Sequence, residues 1–251
     1  MKPSDVVADV ARVSALVDRR ISPDDPMLAG DDEQYFAVGS DAIRKIATVQ
    51  TLVDAAEPGG ILDFACGYGR VGRYLRVAYP EAELVGCDVN ARALTFYRDT
   101  FGATVVPSAA SLGEVDLGRR FDLIWSGSLM THIPERAAEA LLALFDRHLA
   151  DDGLAVFSTH GRYVASHSRT ARWTPHLTEA RLRELSAEFD DGRYAYSDYD
   201  HRTGYGISMT PLAWILEKIE KLPQLRLVGM TERGWGDFQD VVAVWRRPVS
   251  P

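Results

Sequence analysis

Apolar positions recur at helical spacing twice near the start of the chain. Val6, Val7, Val10, Val13, Ala15, Leu16 and Val17 predict a helix over 4–20, and Ile43, Ile46, Ala47, Val49, Leu52 and Val53 predict another over 40–56. Ser4 and Ser40 are the expected N-caps. The acidic, proline-containing stretch 22–32 reads as the loop between the helices, with Tyr35 and Phe36 just before the second.

From Gly60 the pattern changes to short apolar runs alternating with amphipathic stretches. Runs 61–64, 83–88, 103–107, 121–126 and 154–159 read as strands, and 70–79, 91–101 and 134–149 as helices. This alternation implies right-handed crossovers and a parallel sheet covered on both faces. Ligands of such sheets sit at the carboxyl ends of the strands. Residues 161–210 break the rhythm, being polar and rich in tyrosine and histidine: Tyr163, Trp173, Tyr194, Tyr196, Tyr199 and Tyr205, with His160 just before them and His167, His176 and His201 among them. A connection that long is expected to be a lid or substrate-binding insertion. A helix over 211–221 and two strands, 225–230 and 240–245, follow. The strands are joined around Gly234, Trp235 and Gly236 and add an antiparallel hairpin to the sheet.

Composition narrows the function. With 251 residues, 46% hydrophobic and 25% charged, the chain is an ordinary globular protein. The N-terminal helices, 1–59, are expected to cover the ligand site of one larger domain, 60–251. A net charge of −8 disfavours nucleic acid as a partner. Arg162, Arg169 and Arg172 form the one local basic stretch, and solvated, scattered arginines are the plainer reading of them. The first residues carry no apolar signal-like run, and no stretch has the roughly 20 apolar residues of a membrane helix. The expectation is therefore a cytoplasmic protein with no membrane partner. Cys66 and Cys87 alone offer no disulfide framework and no metal-ligand pattern.

The strongest chemical signal is Asp63-Phe64-Ala65-Cys66-Gly67-Tyr68-Gly69-Arg70, placed between a strand and a helix. Glycines there let backbone amides approach a ligand closely, and the helix start offers unpaired N–H groups. Asp88 ends the next strand, where a carboxylate accepts hydrogen bonds from ribose hydroxyls. Loop and acid together point to a nucleoside-bearing cofactor. Gly67, Gly69 and Gly72 also satisfy the spacing of a dinucleotide fingerprint, which keeps an NAD(P)-dependent oxidoreductase open. Asp63, the antiparallel C-terminal hairpin and the lack of a second mononucleotide half favour an adenosyl sulfonium.

Over roughly 60–245 the chain resembles the class I S-adenosylmethionine (SAM)-dependent methyltransferase family, whose first loop reads acid-x-Gly-x-Gly-x-Gly. Ala65 stands here in place of the first glycine. The resemblance implies a doubly wound α/β fold, a mostly parallel seven-stranded sheet with an antiparallel C-terminal hairpin. It implies SAM as cofactor and S-adenosyl-L-homocysteine as product. Asp63, Ala65, Cys66, Gly67, Gly69 and Arg70 would line the methionine part, Asp88 would hold the ribose, and Val89, Asn90, Ser108 and Ala109 would flank the adenine, with Ser126 beside the reacting end. The acid that often follows the third strand in the family is missing at Pro107-Ser108-Ala109-Ala110, and so is the Asn-Pro-Pro-aromatic signature of nucleobase amino methylation at 126–129.

His132 and His160, each following a strand at the ligand end of the sheet, are the candidate catalytic bases. The plainer role for His132 is a cap on the helix over 134–149. The expected acceptor is a small molecule or sugar derivative. A non-catalytic SAM-binding protein is the third alternative.

Overall fold

The computed structural model describes residues 1–28, 30–109, 111–170 and 176–247. Ala110, Arg172 and Trp173, singled out from the sequence, lie outside the described residues.

The N-terminal helices differ from the pattern reading, and short-range capping is the reason. What reads as one helix is two, α1 (Pro3–Ala8) and α2 (Val10–Leu16), because Asp9 leaves helical geometry and its carboxylate caps α2 by accepting from Arg12 N at 3.0 Å. Helix α3 (Asp32–Leu52) starts at Asp32 rather than Ser40, since Asp31 accepts from Gln34 N at 2.9 Å. Ser40 lies inside this helix, its Oγ 3.0 Å from Ser14 Oγ on α2. Tyr35 and Phe36 consequently sit on the buried face of α3.

The strand–helix alternation holds closely. The elements are β1 (Gly60–Phe64), α4 (Gly72–Ala78), β2 (Glu83–Asp88), α5 (Ala91–Phe101), β3 (Thr104–Pro107), β4 (Phe121–Ser126), α6 (Glu135–His148) and β5 (Leu149–Thr159). Helix α9 (Leu212–Glu220), β8 (Leu225–Trp235) and β9 (Gln239–Arg246) close the chain. The seven-stranded sheet has the order β3-β2-β1-β4-β5-β9-β8, with β9 antiparallel to both neighbours. The last strand therefore slots inside the sheet and β8 forms the edge. Strand order reverses between β1 and β4, which opens the crevice at their carboxyl ends.

One face of the sheet packs on α1–α5 through residues such as Ile43, Ile46, Tyr74 and Tyr97, and the other on α6 and α9 through Leu141, Phe145 and Ile215. Helix α3 lies so close to α4 that a Cβ at Gly39 would strike the Arg70 carbonyl and the Tyr74 ring. Gly39→Val is therefore expected to cost several kcal/mol, roughly 2–4 by the overpacking and backbone-shift penalties of crowded cores, read as a lowered denaturation midpoint.

The insertion is a built unit. It holds α7 (Arg162–Arg169), α8 (Glu179–Asp190) and a two-stranded antiparallel sheet, β6 (Ala195–Tyr199) and β7 (Arg202–Met209). Val164, Leu182, Leu185, Ala195, Ile207 and Met209 give it a small core of its own. Strand β7 is tied across the top of the main sheet: Gly206 N and Ser208 N donate to the His132 and Thr131 carbonyls, and Thr210 N donates to the His160 carbonyl, all at 2.8–2.9 Å.

Candidate functional site

The turn from β1 into α4 is held by backbone geometry that the sequence demands. Ala65, Gly67 and Gly69 all have positive φ, 63°, 51° and 80°. Ala65 thus occupies a left-handed position that glycine takes without cost, which explains why a glycine is usual there. Ala65 N and Cys66 N both donate to the Cys87 carbonyl at 2.8 and 3.1 Å, tying the turn to β2. The glycines have separate reasons. Nothing lies within 4 Å of where a Gly67 Cβ would stand, so this position faces open space, whereas a Cβ at Gly69 would hit the Phe101 ring. Gly67 makes the cradle; Gly69 is required by packing.

Asp88 joins the loop to the acid in a way that spacing does not reveal. Its Oδ2 accepts from Gly67 N at 2.8 Å and its Oδ1 from Asn90 N at 2.8 Å, so one half-buried carboxylate braces both the loop and the start of α5. Carboxylate oxygens each accept more than one hydrogen bond, which leaves lone pairs for a ligand diol. Val89 beside it is 64% exposed, an apolar side chain with no partner in the core and suited to a flat ring. Asn90 is occupied differently: its Oδ1 caps α5 through Arg92 N and Ala93 N. Ser108 N bonds the Asp88 carbonyl at 2.9 Å, which brings Ser108 and Ala109 alongside.

Asp63 is not on the open surface of the cradle. It is 2% exposed, and its Oδ2 accepts from the Tyr97 hydroxyl at 3.0 Å inside the core. Burial, with the nearby Asp88 charge, pushes its carboxyl up to about 7. A carboxyl raised in the folded state contributes stability at low pH that is lost as pH rises through about 7. Asp63→Asn is expected to make the protein without ligand more stable at pH 8, by on the order of 2–4 kcal/mol, and to reduce the loss of stability between pH 4 and 8. Urea titrations at the two ends of that range measure it.

Cys66 and Cys87 are free and buried, and burial pushes both thiols up, which removes them as nucleophiles. Arg70 follows the loop with its guanidinium 5.4 Å over the Trp235 ring, and no carboxylate or carbonyl among the described residues bonds it. Trp235, expected in a turn, ends β8 and is buried: it packs edge-on against Trp125, donates from Nε1 to the Val38 carbonyl at 2.8 Å, and leaves a Cβ at Gly127 no room, 2.7 Å from its ring. Ser126 ends β4 with a buried hydroxyl that has no hydrogen-bond partner among the described residues, and Ser128 lies two residues on at φ 59°.

The two histidines meet at this end of the sheet, with ring centroids 6.2 Å apart. His132 does not cap α6, whose N-cap is Pro134. Its Nδ1 is 2.7 Å from the Gly206 carbonyl, and its ring stacks on Tyr205 at 4.9 Å. A carbonyl accepts only, so the proton belongs on Nδ1 and Nε2 carries the lone pair. Burial lowers the His132 pKa, assisted by Arg202, and pushes His160 down to about 3, so both rings are neutral near pH 7. Tyr199 (hydroxyl 3.3 Å from His132 Nδ1) and Tyr205 come from the β6–β7 hairpin, and Tyr205 is near enough to feel the Asp88 charge. These insertion tyrosines, for which the sequence leaves substrate wall and ordinary packing both open, stand against the His132 ring. Their signal in the sequence is only the density of aromatics in 194–205.

Residues 61–153 match the family model described as a methyltransferase domain. This stretch of the chain is therefore similar to a methyltransferase domain. The domain is 28% identical over 152 residues to a trans-aconitate 2-methyltransferase from Azoarcus sp., spanning 61% of this chain and 59% of that one. It is 32% identical over 76 residues to a ribosomal RNA small subunit methyltransferase C from Pasteurella multocida, spanning 30% and 23%. The chain thus spans less than two thirds of either relative. A SAM-dependent methyltransferase from Clostridium acetobutylicum shares the fold across 98% of both chains, at 13% identity and a TM-score of 0.57. The family uses SAM, so the methyltransferase domain, not an oxidoreductase, accounts for the glycine loop. Among the described residues no cluster suited to a metal ion occurs, and no helix is long and apolar enough to cross a membrane.

Proposed function

We propose that this chain transfers the methyl group of SAM to a hydroxyl of a small-molecule acceptor held beneath β7. The observation that carries the reading is the Asp88 carboxylate bonded to the Gly67 amide, which makes loop and acid one rigid unit at the switch point of the sheet. SAM fits the residues there: the Gly67 position is open, Asp88 retains acceptor capacity for the ribose, and Val89, Ser108 and Ala109 offer a surface for the adenine. The loop amides 65–69 suit the methionine end, with Arg70, which forms no ion pair among the described residues, on its carboxylate. Residues 1–59 cover this end through the packing of α3 against α4 and Trp235.

Bound SAM supplies an electrophilic methyl on a sulfonium. The protein's tasks are alignment and proton removal. The Ser126–Ser128 turn is fixed by Ser158 Oγ, which accepts from Ser128 N at 2.7 Å, and by the Gly127–Trp235 contact, so the floor under the reacting atoms is rigid. His132 Nε2 would accept the acceptor's hydroxyl proton while its Nδ1–H stays on the Gly206 carbonyl, and the freed oxygen would take the methyl as its bond to sulfur breaks, leaving S-adenosylhomocysteine. Tyr199, Tyr205 and His160 wall the acceptor from water. The net charge of −8 weighs against ribosomal RNA as acceptor, despite the relative that bears that name. The small-acid name of the Azoarcus relative supports a small molecule. Incubating purified chain with SAM and a panel of small hydroxyl compounds should release S-adenosylhomocysteine with at least one of them. Cofactor binding without turnover across the panel would favour a non-catalytic SAM-binding protein, and no binding at all would end the proposal.

A further inference from the structure

Strand β7 is bonded to Thr131 and His132 beyond β4, and Thr210, just past its end, donates to the His160 carbonyl beyond β5. Beyond Thr210 lies a cavity of about 220 Å³. Phe189, Leu212 and Met230 give it apolar walls, and Thr210 and Asp240 a polar floor. Asp240 is fully buried at the start of β9. Its Oδ1 accepts from Arg233 N at 2.9 Å, but its Oδ2 has no hydrogen-bond partner among the described residues. The carboxylate faces Gly161, which also lines the cavity and where a Cβ would collide with Oδ2. Arg162 and Glu232 flank the opening and pair with each other at 3.0 Å on the exposed side; their opposite charges both act on Asp240 from there, and neither side chain hydrogen-bonds it.

A buried carboxylate oxygen without a donor is costly, and the natural complement is a charged N–H donor. Burial raises the Asp240 carboxyl only to about 6, so at neutral pH most molecules carry this charge. The volume exceeds that of a single ordered water, and the apolar walls favour a hydrocarbon body. We propose that this cavity binds a small molecule bearing a protonated amino group on a short apolar body, with the ammonium on Asp240 Oδ2 and the body against Phe189, Leu212 and Met230. The site is separate from the cofactor cradle: β1, β4 and β5 stand between β2 and β9, a separation of roughly 19 Å at the usual strand spacing.

Thermal unfolding of the whole chain with benzylamine, and with benzyl alcohol as its uncharged counterpart, tests the proposal. Benzylamine at millimolar concentration should raise the midpoint saturably, with or without S-adenosylhomocysteine, and the alcohol should not. Asp240→Asn should weaken the benzylamine response about tenfold or more, the equivalent of losing one charge-assisted hydrogen bond. Leu212→Trp, at a partly exposed position on the rim, should fill the cavity and abolish the response with S-adenosylhomocysteine affinity unchanged. If Asp240→Asn does not fold, Leu212→Trp decides. No benzylamine response in the unaltered protein, or an equal response in the Leu212→Trp variant, overturns the site and leaves the methyltransferase reading untouched.

Discussion

Asp88→Ala is expected to lower affinity for S-adenosylhomocysteine by about a hundredfold or more. Hydrogen bonds to a charged group contribute roughly 1.5–3 kcal/mol each, and a ribose diol on this carboxylate makes two of them. The same side chain also holds Gly67 N and Asn90 N, so its removal frees the cradle it completes. Asp88→Asn should fall between the two, because its amide oxygen still accepts but carries no charge. Asp88 is only half-buried, so the variant should remain folded, with circular dichroism unchanged while calorimetry shows the weakened binding. Affinity within threefold of the unaltered protein would mean that the adenosyl group sits elsewhere.

The second large effect is on turnover. His132→Gln should reduce kcat by roughly 10²–10⁴, the usual span for losing a positioned base, with cofactor affinity unchanged. Glutamine can still donate to the Gly206 carbonyl, so the tie to β7 is retained while the basic lone pair is lost. The pH profile provides the sharper readout. Burial lowers the His132 pKa, so the neutral form persists through neutral pH and the rate should fall only as pH drops below the ordinary histidine range. The variant should lack that acid limb. A kcat within threefold, with the acid limb intact, would remove His132 as the base and point to an acceptor that is already ionised, such as a carboxylate.

Much of the architecture was readable from local pattern. The strands over 83–88 and 121–126 and the helix over 91–101 match the structure residue for residue, because each is bounded by its own signal: Asn90 caps the helix and Gly102 ends it at φ 59°. The N-terminal helices depart from the pattern for an equally local reason. Ser4 lies inside α1, which opens on Pro3 rather than on a serine cap, Asp31 in place of Ser40 caps α3, and apolar spacing does not register the single-residue break at Asp9.

The chain's own order of residues determined the loop, the acid after β2 and the resemblance to methyltransferase domains, since these depend on glycine conformations and strand–turn–helix sequence within about 30 residues. Tertiary structure decided the rest. Only folding shows that Asp63 is turned into the core onto Tyr97, that Gly69 is dictated by Phe101, and that Tyr199 and Tyr205 return across some 70 residues to stand beside His132. Backbone conformation is a short-range property written into residue type, whereas burial and the charge state of a carboxyl or an imidazole are set by neighbours far away in the chain.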